Sequence, residues 1–288
     1  MDDRLSKKLY IPHPEEPNRS IVGILEQLSP RQSTQGRKIA LVHFAWHNGV
    51  SKTAHKDYLF QRRLAVRLPL DSFRFDFRGN HETGGTWKQG ALDKDIVDIN
   101  TVVGFLKREY GYVIDLVVGH SRGALVAFRW LCTTEDGRNV TAFVNASGRY
   151  RMHAVKAWQE SFAKQGYHVW EVSVARKQVT AMVTPEDLEA FVSWDTSLVW
   201  DHFPAMIDVL TLHGLSDKTV PPYDALIYAR ALSERTPGTH TLHLMEDADH
   251  NFTGRQDEVV DAILQWWEAR RQGEIKTGIW QTGIRGKL

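Results

Sequence analysis

The sequence predicts an α/β protein with a mostly parallel central sheet and helices on both faces. Three observations support this fold class. Short strand-like runs alternate with stretches of helical periodicity along the chain. The run over 113–118 (VIDLVV) is mostly apolar, which is typical of a strand covered by helices on both sides. The chain has 288 residues, 42% of them hydrophobic, and is long enough to bury such a core.

Alternating or apolar runs bounded by turn residues predict the strands, and a spacing of three to four between apolar residues predicts the helices. Because the connection between the first two strands is too short for a helix, these strands are expected to form an antiparallel hairpin at one edge of the sheet. The predicted helices cover 92–109, 124–131 and 258–270. The predicted strands cover 21–28, 38–44, 73–77, 113–118, 140–145, 207–212 and 239–245.

Composition narrows the classes of partner. The formal net charge of +1 gives no electrostatic reason to expect nucleic acid or an anionic membrane surface. No run approaches about 18 uninterrupted apolar residues, so no membrane span is expected, and the first twenty residues lack the apolar stretch of a secretory signal. The single cysteine, Cys132, excludes an internal disulfide and fits a reducing compartment. A cytoplasmic location is therefore predicted.

Residues 119–123 read Gly-His-Ser-Arg-Gly, which matches the pattern Gly-x-Ser-x-Gly. Three fixed letters are a weak signal alone, but here they stand between a predicted strand and a predicted helix. On such a turn the serine adopts a strained backbone that exposes its hydroxyl, and the two glycines leave room where strand and helix meet. Ser121 is therefore predicted to be a nucleophile. The alternative is a tight strand–helix turn without chemistry.

A serine hydroxyl needs a base that takes its proton and a carboxylate that orients the base. In a parallel sheet the carboxyl ends of the strands meet at one edge, where the chemistry gathers. Asp217 and His250 each follow a predicted strand, as Ser121 does. The sequence therefore predicts Ser121, Asp217 and His250 as a catalytic triad. Asp247 or Asp249, on the loop of His250, is the alternative acid.

Five segments between residues 38 and 255 resemble the α/β-hydrolase family. They more narrowly resemble its serine esterase branch of cinnamoyl/feruloyl-type esterases and lipase-like or serine-aminopeptidase-like hydrolases. The resemblance implies the α/β-hydrolase fold, the same triad, and an oxyanion hole made by the backbone N–H groups of Arg122 and Ala45, with Phe44 as the alternate donor. The segments are VHFAWHNG, FRFDFRGN, DLVVGHSRGALVAF, LHGLSDKTVPP and LMEDADHNF.

The chain departs from the family pattern at three places. Phe44 stands where the family usually has glycine, which changes the first oxyanion loop. Arg122 follows the nucleophile where Gln or Met is common, and its side chain is expected either to attract an anionic substrate group or to lie along the surface. Residues 79–82 (GNHE) make the loop after the third strand bulkier.

Roughly sixty residues separate the strands at 140–145 and 207–212, more than one crossover helix needs. The resemblance implies a cap over the active site, inserted between the strands at 140–145 and 207–212 (strands 6 and 7 of the family's fold), with core regions 1–148 and 205–288 flanking a cap insert at 149–204. A hairpin at 167–174 and 177–183 is expected within it, followed by a helix that begins at 184–187. Its aromatic residues suit an apolar or aromatic substrate, or else they pack the cap onto the core. The substrate-binding candidates are Phe44, Trp170, Trp194 and Trp200.

No cofactor or metal is expected. No phosphate-binding glycine loop or dinucleotide fingerprint follows any strand. His43 and His47 are four residues apart, but at a strand end and without a third ligand. The tail that carries Ile279 and Trp280 is read as a frayed end or an extra strand packed on the core.

The sequence thus predicts a serine hydrolase that cleaves a carboxylic ester of a small, apolar or aromatic substrate through an acyl-enzyme. A thioesterase, a lactonase and an aminopeptidase-like amidase would use the same triad and remain alternatives. A further alternative is a ligand-binding or receptor protein with slow turnover. The expected partner is a small-molecule ester, and a homodimer is left open.

Overall fold

The computed structural model describes residues 4–44, 60–153, 158–174 and 177–282. Among them, nine strands form one sheet in the order β1-β2-β4-β3-β5-β6-β9-β10-β11, and β7 and β8 form a separate two-stranded sheet. The strands are β1 (Leu5–Pro12), β2 (Ser20–Gln27), β3 (Lys38–Phe44), β4 (Asp71–Asp76), β5 (Val113–His120), β6 (Ala142–Ala146), β7 (His168–Val174), β8 (Lys177–Val183), β9 (Asp208–Gly214), β10 (His240–Met245) and β11 (Gly278–Thr282).

The helices connect these strands and cover the main sheet. They are α1 (Phe60–Ala65), α2 (Leu92–Tyr110), α3 (Arg122–Thr133), α4 (Glu135–Arg138), α5 (Gln159–Gln165), α6 (Pro185–Val192), α7 (Leu198–Asp201), α8 (Tyr223–Leu232) and α9 (Gln256–Arg271). Strands β4, β3, β5, β6, β9, β10 and β11 pair in parallel, while β1 and β2 add an antiparallel edge. The predicted fold class is confirmed.

The core lies on both faces of the sheet. Helices α2, α3 and α8 pack on one face, while α1 and α9 pack on the other. Successive side chains of β5 point to opposite faces, so Val117 joins the first cluster and Leu116 and Val118 join the second. This explains why the β5 sequence is apolar without alternation.

The predicted pairing of 21–28 with 38–44 is wrong. β2 pairs with β1 and β4, and β3 lies between β4 and β5. The connection between β2 and β3 crosses past β4, held by Arg37, which donates hydrogen bonds to the carbonyls of Ser29, Gln32 and Ser33. The true partner, β1, was missed because Leu9 and Ile11 are its only buried apolar side chains.

Residues between β6 and β9 contain α5, the β7–β8 hairpin, α6 and α7. The hairpin matches the prediction, and α6 begins with a capping box in which Thr184 and Asp187 bond each other's backbone N–H. Trp158, Val183 and Leu188 form a small core within this insert.

The tail forms an extra strand, as one of its two readings predicts. β11 pairs in parallel with β10 at the sheet edge. The expected packing of Ile279 is wrong, because this side chain is 63% exposed, and the Trp280 side chain lies outside the described residues. No helix within the described ranges is long and apolar enough to cross a membrane.

Candidate active site

Ser121 lies on a strained turn between β5 and α3. Its backbone has φ 52° and ψ −121°, a conformation that costs a non-glycine residue roughly 1–3 kcal/mol. The turn is held on one side by the N–H of Ser121, which donates to the carbonyl of Ala146 at 2.9 Å. The flanking glycines allow β5 and α3 to pack closely at the turn, since a Cβ at Gly119 would lie 2.9 Å from the Cα of Ala124. The motif therefore forms the strained strand–turn–helix that its sequence context predicts.

A continuous hydrogen-bonded chain joins the three side chains of the predicted triad. His250 Nε2 lies 2.8 Å from Ser121 Oγ, and His250 Nδ1 lies 2.8 Å from Asp217 Oδ2. Asp217 follows β9, and His250 follows β10. With Nδ1–H donating to the carboxylate, Nε2 is the unprotonated nitrogen and can accept the proton of the serine hydroxyl.

Asp217 is buried and remains a charged acceptor. Its Oδ1 accepts the N–H groups of Thr219 and Val220, each at 2.8 Å. Its Oδ2 also lies 3.3 Å from Nε2 of His213. Burial alone would raise the pKa of this carboxyl, but the hydrogen bonds from His213 and His250 hold it well below its ordinary value. Asp217 is therefore ionised, and its carboxylate can orient the imidazole of His250.

The alternative acids Asp247 and Asp249 are both exposed. Asp249 accepts the backbone N–H groups of Asn251 and Thr253 at 3.0 and 2.8 Å, so it orders its own loop. The carboxylate that bonds the ring of His250 is Asp217.

Sequence reasoning missed two histidines that support this chain of hydrogen bonds. His120 Nε2 lies 2.8 Å from the backbone carbonyl of His250 and donates to it. Burial lowers the pKa of His120 to about 3, so its ring is neutral at physiological pH. His213 Nε2 lies 2.9 Å from the carbonyl of Val220, close to Asp217. The only sequence signal was their position at the carboxyl ends of β5 and β9.

Arg122 opens α3 and is buried. Its backbone N–H is one of the first-turn donors that have no partner within the helix. Its Nε lies 2.8 Å from Asp95 Oδ2, and its Nη1 donates to the carbonyl of Gln89 at 2.5 Å. The guanidinium also lies 5.6 Å from the ring centroid of Trp87. Both expectations for this side chain are wrong, because it neither lies along the surface nor is left unpaired for a substrate anion.

The other oxyanion candidates are Ala45 and Phe44. Phe44 is the last residue of β3, while its side chain, Ala45 and His47 lie outside the described residues. His43 is fully buried against the rings of Phe75 and Phe77, and burial lowers its pKa to about 3. In the described ranges, no three His, Cys, Asp or Glu side chains are grouped as metal ligands.

The three tryptophans predicted to contact substrate have different surroundings. Trp170 packs at the edge of the small insert core, with its ring centroid 5.7 Å from that of Trp158. Trp194 lies under the guanidinium of Arg129, whose backbone is about two turns, or about 12 Å, along α3 from Ser121. Trp200 is 45% exposed and donates its indole N–H to a tyrosine hydroxyl. These contacts favour packing, and a role in substrate binding stays a prediction.

Comparisons with known proteins agree with the fold. The uncharacterized protein YDL057W of Saccharomyces cerevisiae is 26% identical over 228 residues, which cover 70% of this chain and 66% of the yeast protein. The structure titled "Ferulic Acid bound to Est1E", from Butyrivibrio proteoclasticus, superposes with a TM-score of 0.65 at 14% identity, covering 92% of this chain and 99% of that chain. The esterase Pf2001 of Pyrococcus furiosus gives a TM-score of 0.62 at 17% identity, covering 93% of this chain and 92% of that one. At these identities, the structural likeness shows the fold.

A sequence profile provides the family. The profile described as "Alpha/beta hydrolase family" matches residues 40–262, well over half of the chain, and includes Ser121, Asp217 and His250. The chain therefore belongs to the α/β-hydrolase family.

Proposed function

We propose that this protein is a serine hydrolase that cleaves a carboxylic ester of a small, apolar or aromatic substrate through an acyl-enzyme. The observation that carries the proposal is the chain of two 2.8 Å hydrogen bonds from Ser121 through His250 to Asp217, with the serine on a strained turn. This geometry matches the requirements of nucleophile, base and orienting acid.

In the acylation step, Ser121 Oγ attacks the ester carbonyl carbon while His250 Nε2 takes the hydroxyl proton. The carbonyl π electrons move to oxygen, and Asp217 stabilises the imidazolium. When the tetrahedral intermediate collapses, the bond to the alcohol oxygen breaks and His250 returns the proton to that oxygen. Water then repeats the sequence on the acyl-enzyme, releasing the acid and the free serine.

The oxyanion is assigned to the backbone N–H of Arg122 and, from the family resemblance, to that of Ala45, with Phe44 as the alternate. Preorganised N–H groups stabilise the charge that develops on the carbonyl oxygen, and loss of one such donor costs about 10²- to 10³-fold in rate. The position of Arg122 at the start of α3 supports its part of this assignment.

The likeness to Est1E and to the Pyrococcus esterase favours an ester substrate. A thioesterase, a lactonase or an amidase would use the same residues, and a slowly turning receptor would keep them too. We assign the cap role to residues 149–204. The candidate substrate contacts are Trp170, Trp194 and Trp200 of this insert, together with Phe44 at the end of β3. A cytoplasmic location is proposed from the single, buried Cys132, whose pKa burial raises to about 12.

A substrate panel tests the proposal. Aryl esters of increasing acyl length, the matching thioesters, lactones and anilides are compared with the Ser121→Ala protein as blank. We expect steady turnover that is highest on esters, together with labelling of the native protein by a fluorophosphonate. Turnover or labelling that survives Ser121→Ala would refute the mechanism. Labelling without steady turnover on any substrate would instead support the receptor alternative.

A further inference from the structure

The side chain next to the nucleophile is anchored in the protein interior rather than presented to substrate. Arg122 is paired with Asp95 of α2 and bonded to the carbonyl of Gln89. Gln89 lies just before α2 and Asp95 lies in its first turn, so the guanidinium joins the start of α3 to the start of α2. Arginine suits this junction, since its planar fork holds several acceptors at fixed angles.

The partners of Arg122 are themselves fixed. Asp98, one turn after Asp95, accepts from Arg78 at 2.6 Å and from the Arg78 backbone N–H at 2.9 Å. Arg78 also pairs with Glu15, which in turn bonds Lys94 at 2.7 Å. Arg122, Asp95, Arg78 and Asp98 are buried, whereas Glu15 and Lys94 lie at the surface. Each acid faces a base, so the group is balanced in charge.

The same junction reaches the cap insert. Gly90 follows Gln89, and helix α6 packs directly on it. A Cβ at Gly90 would lie 2.6 Å from Ala190 Cβ and 2.6 Å from the carbonyl oxygen of Asp187. The Gln89 carbonyl that accepts from Arg122 is thus adjacent to Gly90, the residue against which α6 packs.

We infer that Arg122 is a positioning residue: its side chain aligns the Arg122 backbone N–H with Ser121 and ties this alignment to the loop at Gln89 and Gly90, against which helix α6 packs. The inference rests on the proposed function, because it assumes that this N–H stabilises an oxyanion. The side chain acts only through the backbone that bears it and through Gln89.

The consequence for rate follows from the geometry of oxyanion stabilisation. An N–H donor works only when it points at the position that the oxyanion occupies, and a misplacement of about 1 Å can cost about 100-fold. Substitution of Arg122 by any residue other than proline keeps the N–H itself. A loss of transition-state stabilisation in such a variant therefore reports on its alignment.

The test compares Arg122→Met and Arg122→Lys with Arg129→Met. Arg129 is a matched control, since it lies on the same helix, stacks on Trp194 at 4.2 Å and donates to the carbonyl of Asp195 at 2.9 Å. The readouts are kcat and KM for an aryl ester, the inhibition constant of an aryl trifluoromethyl ketone, and the thermal midpoint. The ketone forms an oxyanion when Ser121 adds to it, so its affinity measures how well the oxyanion hole stabilises that charge.

We expect Arg122→Met to lower kcat and ketone affinity together, each by about 10- to 100-fold. Arg122→Lys should recover only part of the loss, because an ammonium cannot reach both acceptors in one plane. Arg129→Met should lower the thermal midpoint while leaving kcat and ketone affinity within about twofold of the native values. Gly90→Ala, which disturbs only the contact with α6, should raise KM more than it lowers kcat.

A double variant, Arg122→Met with Asp95→Leu, distinguishes a folding defect from a loss of oxyanion stabilisation. It removes both buried charges, and such replacements are often neutral for stability. Burial already raises the pKa of Asp95 to about 6. In the single variant Arg122→Met, Asp95 can therefore take up a proton and avoid being a buried, unpaired charge. If either variant folds with native kcat and ketone affinity, the inference is wrong. Hydrolysis that survives Ser121→Ala would instead overturn the proposed function.

Discussion

The rings of His120 and His250 lie 5.2 Å apart between centroids, and His120 Nε2 donates to the backbone carbonyl of His250 at 2.8 Å. The residue immediately before the proposed nucleophile therefore holds the loop of the proposed base. Because His120 is buried and neutral, this bond does not depend on pH in the physiological range. Two elements far apart in sequence are thus locked at the distance that proton transfer needs.

His120→Phe keeps the packing of a ring against Phe60 and Phe252 but removes the donor to His250. We expect kcat to fall by up to about tenfold, since the lost hydrogen bond contributes about 1 kcal/mol to the position of the base. KM should change little. His120→Gln, which retains an N–H donor, should stay closer to the native rate. Equal kinetics for both variants would argue against this role.

Asp217→Asn should lower kcat by about 10³- to 10⁴-fold, because an amide donor in place of the carboxylate favours the wrong imidazole tautomer. The matched control is Asp249→Asn, on the loop of His250. This carboxylate accepts only local backbone N–H groups in the contacts described, so its loss should cost less than about tenfold. Steady-state rates on one aryl ester decide between them. A larger loss at Asp249 would revive the alternative acid.

The two glycines of the motif should differ in their tolerance of a methyl group. A Cβ at Gly119 would lie 2.9 Å from backbone atoms of Ala124, which cannot yield without moving α3. A Cβ at Gly123 would meet His43 Nδ1 at 3.0 Å and its carbonyl at 3.2 Å, a milder conflict.

We therefore expect Gly119→Ala to destabilise by about 1–3 kcal/mol and to slow fluorophosphonate labelling. Gly123→Ala should cost less, since alanine regains about 1 kcal/mol of helix propensity. Thermal midpoints and labelling rates give the order, and the reverse order would contradict the geometry.

The native protein should lose stability as pH falls from 7 to 5. Burial lowers the pKa of His43, His120 and His240 to about 3, whereas the ordinary value is 6.5. Between these values the unfolded chain binds more protons, so each histidine's contribution is complete above pH 6.5 and declines below it, by about 2 kcal/mol at pH 5. Asp95 acts oppositely, because its pKa is raised to about 6 from 3.8, and it regains only about 1 kcal/mol.

Urea denaturation at pH 7 and pH 5 measures this difference. His240→Gln removes one of these three histidines, so the number of protons taken up on unfolding near pH 5 should fall by about one and the pH dependence should be weaker. A free energy of unfolding that is constant or higher at pH 5 would show that these histidines are not buried in the neutral form.

Local patterns predicted most of the elements that carry the site. The strand–turn–helix around Ser121 was readable because an apolar strand, a glycine-flanked serine and a small-residue helix follow one another. The edge pairing was not readable, since β1 buries few apolar side chains and hydrogen-bonds through its backbone, which carries no sequence signature. The α8 helix was likewise missed, although Tyr228 and Leu232 are fully buried in the core.

The amino-acid sequence by itself determined the α/β class and the three side chains that meet near the carboxyl ends of β5, β9 and β10. These depend on periodicity and on position relative to strand ends, which are local properties. Only the tertiary structure decided that Arg122 turns inward to Asp95 and Gln89, and that His120 and His213 support the base and the acid. The physical reason is that a polar side chain takes its partners from whatever the fold buries beside it, and those neighbours are distant in sequence.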